Sequence, residues 1–442
     1  MIIWVGRVWR FVTKFLTAYE WVVLSLMLPL VLFSPSQWVL VLLVIPVLWL
    51  LRWAATGHLV PPTPLDGAVL GLLLMVLVSQ YATYDTAHSL VKVVGMVYGV
   101  AVFYAVVQWV AQSRSRLWWG VAVLHGLVLG LTGLSLAVFG WMGTVPGLGG
   151  LLARIPERIT SLASQSVNPN QVAGILLWLL PLAVLLTVTV LWRWRCLVSD
   201  YGVLKVGLLL LGLTGTSLVM LVVLALTRSR GALAGMAVTL VFMGLVGLLT
   251  KWRKAALVIT VVVIGAAVIG VAVVGPEGMI KLLFAPTGVN SENPMGSIDS
   301  RLEIWSRAIY GLQDFPFTGM GMNNFRQVVH ILYPLFLISP DTDIAHAHNH
   351  WLQAGLDLGI PGMIAYMALW LGLAFLLVWW WRHTDDSWLK VLALGFGGCL
   401  VAYFVYGLMD TIALGARPGF VFWGMLGLMV GGYLEVRRQQ AE

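Results

Sequence analysis

Charge is scarce in this chain. Only 10% of its 442 residues are Asp, Glu, Lys or Arg, against about a quarter in soluble domains. A soluble globular protein is thereby excluded, because nothing would keep a 60% apolar composition away from water. Cysteine is nearly missing as well: Cys196 falls in a basic loop and Cys399 in an apolar run, so neither a disulfide framework nor redox chemistry is expected. No small-residue cleavage site follows Arg7, Arg10, Lys14 and the apolar run from Trp21 to Phe33, so no cleavable signal is expected and the N-terminus should stay in the cytoplasm. No nucleic-acid partner is expected.

What the chain has instead is long apolar runs, 22 Trp residues and a mean hydropathy of +0.93. About twelve runs approach the length that a hydrocarbon core of roughly 30 Å requires. They lie near 20–33, 36–51, 66–82, 90–111, 117–142, 171–191, 203–226, 232–250, 255–275, 360–381, 388–409 and 418–434. Backbone at that depth must satisfy its own hydrogen bonds, so the spans are predicted to be helical. The expected fold is an all-α polytopic membrane protein with one large extracytoplasmic loop lobe. Its parts are an N-terminal bundle over 1–275, the lobe over 276–350 and a C-terminal bundle over 351–442.

Basic residues accumulate on the cytoplasmic side of short loops. Alternating spans put Arg52, Arg114, Arg116, Arg193, Arg195, Lys205, Lys251, Arg382, Lys390, Arg437 and Arg438 on one face, which makes both termini internal. Arg154, Arg158, Arg228, Arg230, Arg301, Arg307, Arg326 and Arg417 then stand outside, against that bias, and require a reason.

The sharpest case is Thr227-Arg228-Ser229-Arg230-Gly231, a hairpin of few residues between two long runs. The helix that starts near Gly231 offers free N–H groups and a positive dipole end beside two guanidiniums, a combination suited to pyrophosphate. The plainer reading is that both arginines reach lipid head groups. Upstream, Arg158 and the amides of Asn168-Pro169-Asn170 suit phosphate or sugar contacts, while Asn168-Pro169 equally suits a turn and a helix cap. In the large loop, Ser300-Arg301-Leu302-Glu303 reads as a capping box, with Leu302, Trp305, Ile309 and Leu312 on one packing stripe. Gly319-Met320-Gly321 then turns the chain into a short helix with Asn324 and Arg326.

The last polar stretch, His346-Ala347-His348-Asn349-His350, lies just before a span. Imidazole exchanges protons near neutral pH without prior perturbation, so the cluster is a candidate for acid–base work. An interfacial, merely hydrogen-bonded histidine is the alternative for each. His346 and His350, four apart, would share one face of a helix. Alternating histidines also gather metal ions, and Asp341, Asp343 or Asp85 stand as possible carboxylate partners.

Together the SRG element at 229–231, the NPN element at 168–170, the segment PFTGMGMNNF at 316–325 and the histidine block resemble the O-antigen ligase family. His348-Asn349, nine residues, then Gly359-Ile360-Pro361-Gly362 fits that family's H[NSQ]-x9-G-x-x-G pattern. The resemblance implies a GT-C-like glycosyltransferase of the inner membrane, with its site facing the periplasm. It would move a glycan from undecaprenyl pyrophosphate to an acceptor hydroxyl on a lipid or protein, using neither cofactor nor metal and inverting the anomeric centre. On this reading His348 is the base and Arg228, Arg230 and Arg158 hold pyrophosphate. His346, Asn349, His350, Arg301, Asn168, Asn170 and Asp410 support them, with Asn349, Asp357 or Asp410 orienting the imidazole. Polysaccharide polymerases and protein O-oligosaccharyltransferases share the architecture, and a small-anion transporter is the alternative of another class. No matching broken helices of the kind transporters show are expected from the sequence.

Overall fold

The computed structural model describes residues 19–33, 38–138, 168–251 and 298–441, with isolated positions between 254 and 278. Among them the chain forms fifteen α-helices and no strand. These are α1 (Glu20–Phe33), α2 (Trp38–Thr56), α3 (Asp66–Ser79), α4 (Thr86–Val110), α5 (Arg114–Val138), α6 (Pro169–Leu177), α7 (Leu180–Trp192) and α8 (Trp194–Tyr201). After them come α9 (Val203–Leu226), α10 (Arg230–Lys251), α11 (Ile298–Asp314), α12 (Phe325–Leu332), α13 (His350–His383), α14 (Ser387–Gly407) and α15 (Gly419–Ala441). Seven are long and apolar enough to cross a membrane, eight if α6 and α7 count as one span. Three shorter apolar helical segments are Glu20–Leu32 in α1, Leu43–Thr56 in α2, and Asp66–Ala82, which is α3 with the 3₁₀ turn that follows it. The span expected at 255–275 lies mostly outside the described residues.

Polar side chains fix where the chain re-enters each apolar run. Asp85 accepts the backbone N–H groups of Ala87 and His88 at the start of α4, Asn349 those of Trp351 and Leu352 at α13, and Asp386 those of Trp388 and Leu389 at α14. Each cap satisfies donors that a first turn leaves open. Beyond the caps the helices associate by close packing. A Cβ at Gly427 of α15 would crowd Val106 and the Phe103 carbonyl of α4, and one at Gly235 of α10 would strike the Ala402 carbonyl of α14. Small residues let backbones approach where no hydrophobic gradient drives helices together. One apolar core thus unites early and late helices, for Phe103 of α4, Trp178 after α6, Phe396 of α14 and Trp423 of α15 all belong to it.

Two spans are interrupted. The sixth, read as continuous, is α6 and α7 bent by 45°, with Leu179 between them at φ −136° and ψ −35°. The tenth, α13, breaks at Gly359 (φ 72°, ψ 175°) into a stub over 350–358 and a spanning part that begins where the apolar run was expected. The break has a mechanical cause: Ile360 N–H donates to the Pro316 carbonyl and Met320 N–H to the Leu356 carbonyl, both at 2.7 Å. Gly319, also at positive φ, packs directly on Gly359. The Gly-x-Gly of 319–321 therefore joins a loop to a helix kink. Gly359→Ala would strain φ and press a methyl onto the Phe317 carbonyl. We expect it to destabilise the protein by about 1–3 kcal/mol, measured as a lower Tm in detergent, with Gly126→Ala, in open space, as the unaffected control.

Between these membrane helices, α11, α12 and residues 333–349 make a small lobe around Ile304, Ala308, Phe325, Val329, Ile344 and Ala347, closed by Leu356 of the α13 stub. Two sequence expectations fail here. The capping box does not form, since α11 starts at Ile298 and Ser300 is buried within it. Glu303 instead accepts the backbone N–H groups of Phe336 (2.6 Å) and Leu337 (3.0 Å). Two loop donors outweigh the single donor a capping box would satisfy. The packing stripe is also rotated: Ile304, Ala308 and Gly311 face inward, whereas Leu302 and Ile309 are 51% and 45% exposed.

Candidate functional site

Five segments distant in sequence meet at one end of the bundle. A cavity of about 180 Å³ is lined by Asn170 from α6, Arg228, Ser229, Arg230 and Gly231 from the α9–α10 hairpin, Arg301 from α11, and Met409 and Asp410 after α14. Asp410 leads to the fifth segment, the histidine loop, where Nδ1 of His348 lies 3.2 Å from its Oδ1.

The hairpin is tight because the chain turns at Arg228 in the left-handed region, φ 51°. Such a φ is unfavourable for a residue with a Cβ and persists only where the surroundings enforce it. Here Thr227 and Arg228 N–H groups close the end of α9 on Val223 and Ala225, and Ser229 accepts from Leu233 to open α10. Arg228 is exposed, Arg230 half-buried and Arg301 half-buried, its Nε enclosed and without a partner among the described residues. Burial pulls the Arg301 guanidinium below its ordinary pKa, and Arg230 adds to this while Asp410 opposes it. Three guanidiniums are thus held around a space of a few atoms' width, an arrangement that gains most from an anion.

His348 is the second left-handed residue of the site, again at φ 51°. Its loop is pinned on both sides. Gln353 accepts the Ala347 N–H (2.8 Å) and donates to Asp357 (2.9 Å), which also accepts the Asn323 N–H (3.1 Å). Asn349 caps α13 and donates to the Leu408 carbonyl (3.3 Å), tying the loop to the segment that carries Asp410. Asp410 is the carboxylate that orients His348; Asp357 and Asn349 brace the scaffold instead.

Tautomers follow from these contacts. The His348 backbone N–H donates to His346 Nδ1 (3.3 Å), so the His346 proton is on Nε2, which faces Asp410 Oδ1 at 3.6 Å. His348 likewise turns Nδ1–H to Asp410, whose Oδ1 also accepts the Thr411 N–H. Burial pushes the Asp410 carboxyl up, but His348, then His346 and Arg301, overcome this and hold it at about 2. Burial, reinforced by His348, brings the His346 imidazole down to about 3, although Asp410 opposes the shift. At neutral pH Asp410 is therefore an anion and His346 neutral. His348 Nε2 is left as a buried lone pair without a partner among the described residues.

Not every residue singled out in the sequence arrives here. His350 is not on a shared face with His346, because the helix begins only at His350 and His346 lies in the preceding loop. Its ring is enclosed by Trp351, Tyr366, Trp370, Tyr403 and Phe404, away from the cavity. Asn168 serves as the cap of α6, accepting the Asn170 N–H (2.9 Å), and Tyr406 donates to the Asn170 carbonyl (2.8 Å). Arg158 lies outside the described residues. Asp343 pairs with Arg326, and Asp85 with His88, so neither joins the histidines. Gln353 was missed in the sequence, and its signal is the i, i+4 spacing to Asp357 one turn into α13. His346, His348 and Asp410 also offer three ligand atoms within 4.8 Å of one another, a spacing that suits a metal ion.

Comparison with known proteins gives one assignment. Residues 215–367 match the family model described as O-Antigen ligase, a segment that includes the arginine hairpin, Arg301, Gly319, Gly321 and the histidine block through Gly362. Asn170 and Asp410 fall outside it. No curated protein matches the chain. Membrane-crossing helices and the arginine-lined cavity accompany this matched segment, and the match over residues 215–367 supports an O-antigen ligase family assignment.

Proposed function

We propose that this protein transfers a glycan from a polyprenyl pyrophosphate, undecaprenyl pyrophosphate in bacteria, to an acceptor hydroxyl at the outer face of the cytoplasmic membrane. The observation that carries this reading is His348, with Nε2 unpartnered among the described residues, held against Asp410, which lines the same cavity as Arg228, Arg230 and Arg301. Nε2 takes the proton of the acceptor hydroxyl as its oxygen forms a bond to the anomeric carbon. The bond from that carbon to the pyrophosphate oxygen breaks, and the arginines receive the charge that develops there. Pyrophosphate leaves readily as an anion, so no strong acid is needed. Asp410 holds the tautomer and stabilises the imidazolium that forms. Attack opposite the leaving group inverts the anomeric centre.

The acceptor is a glycolipid in a ligase, a growing chain in a polymerase and a protein in an O-oligosaccharyltransferase. A transfer assay with purified protein, a polyprenyl-pyrophosphate oligosaccharide and each acceptor class tests the proposal. Hydrolysis without transfer to any of them would sink it.

The spacing of His346, His348 and Asp410 supports a competing role for the same atoms as metal ligands. Three guanidiniums around the cavity oppose a second cation. Activity is therefore expected to withstand exhaustive chelation; loss on chelation with recovery on adding zinc or manganese would assign the cluster to a metal.

Orientation has its own test. A cysteine at exposed Asp341, in a variant lacking Cys196 and Cys399, should react with an impermeant thiol reagent in intact cells whose outer membrane is permeabilised. Reaction only after lysis would reverse the topology.

A further inference from the structure

At the opposite end of the bundle from the arginine cavity, α5, α7, α8 and α9 enclose an apolar groove of about 760 Å³. Its walls include Val121, Leu186, Val190, Leu209 and Leu213, and its mouth carries Arg114, Lys205 and Tyr201. Within it lies His125, only 9% exposed. His125 Nδ1 sits 2.8 Å from the Val121 carbonyl. A carbonyl can only accept, so the proton is on Nδ1 and Nε2 is a bare acceptor. It has no partner among the described residues. A buried acceptor of this kind calls for a donor from whatever fills the groove.

The two ends of the groove ask for different chemistry. Arg114 is already paired with Asp386, and Arg193 close by is engaged with Ser387 and the Trp388 ring. Lys205 has no ion-pair partner among the described residues, so the mouth keeps a cation to offer. Eleven residues of α5 separate Arg114 from His125, about 16 Å along the helix, or roughly half the hydrocarbon thickness. An occupant that satisfies both ends has an anionic head, an apolar chain and a hydrogen-bond donor midway along that chain.

We infer that this groove binds an anionic lipid of the leaflet opposite the glycan site, with a hydroxyl on its chain at the depth of His125. The inference is independent of the transfer reaction, since none of these residues lines the arginine cavity. The observation that carries it is the juxtaposition of Lys205, an apolar trough and the partnerless His125 Nε2.

The test uses the full chain in an uncharged detergent and equilibrium binding of two radiolabelled probes, stearate and stearate hydroxylated at its twelfth carbon. Wild-type protein should bind the hydroxylated probe about fivefold to tenfold more tightly, the worth of one buried hydrogen bond. His125→Leu should erase that preference, Lys205→Glu should weaken both probes, and the uncharged methyl esters should bind poorly. Gly212 lines the groove, and a Cβ there meets open space, so Gly212→Phe should block both probes while leaving the Tm intact. Equal binding of the two probes by wild type, a preference that survives His125→Leu, or methyl esters that bind as well as the acids would each overturn the inference.

Discussion

His348→Ala should lower kcat for glycan transfer by about 10²–10⁴-fold, the range a positioned general base supplies, with little change in donor binding. The split follows from geometry. Nε2 serves the acceptor, whereas the pyrophosphate is assigned to arginines on other segments. Folding should survive best in a glycine variant, because His348 occupies a left-handed φ that glycine adopts freely. His348→Gly should consequently be as inactive as the alanine variant and no less stable. Asp410→Asn should fall between wild type and His348→Ala, since an amide can present its NH₂ to Nδ1 and favour the wrong tautomer. His350→Phe should keep transfer, its ring lying among aromatics. A fully active His348→Ala with a dead His346→Ala would move the base to His346.

How far this site could be read from sequence depended on whether a residue acts through its identity or through where the chain carries it. His348, Arg228 and Arg230 stand out by type as candidates, because imidazole suits proton transfer and guanidinium suits an anion. The kink at Gly359 was nearly visible too, since the apolar run starts at 360. Asp410, by contrast, sits 62 residues from His348, and nothing local distinguishes it from Asp357 as the orienting carboxylate. Only the packing of α13 on α14 decides between them. His350 misled for the opposite reason. Its spacing from His346 suggested a helical face, but Asn349 is the cap, so the helix starts too late to include His346. Glu303 and the stripe on α11 failed because tertiary donors and a crowded lobe overrode the local pattern. The broken sixth span did carry a sequence signal in Pro181, which stands in the first turn of α7 and interrupts a helix running in from α6.

Replacing Arg230 by Lys keeps the charge and removes the planar fork, and this separates an anion clamp from a lipid anchor. The hairpin has little room to compensate: Arg228 is held at positive φ, and a Cβ added at Gly231 would lie 3.2 Å from Met409 Cβ. A lysine would offer one compact point charge where two parallel donors are set. Losing a charge-assisted hydrogen bond costs about 1.5–3 kcal/mol, so Arg230→Lys should reduce kcat/KM by about tenfold to a hundredfold. Arg301→Lys should lose at least as much, because its enclosed Nε has no other partner. Donor affinity, read by equilibrium binding of a labelled polyprenyl pyrophosphate, should weaken along with turnover. Increasing salt should weaken donor binding further in the exposed Arg228→Lys variant than in Arg301→Lys, since exposed charges are screened more strongly. Wild-type transfer by Arg228→Lys and Arg230→Lys alike would return both side chains to the lipid surface and leave Arg301 alone to meet the pyrophosphate.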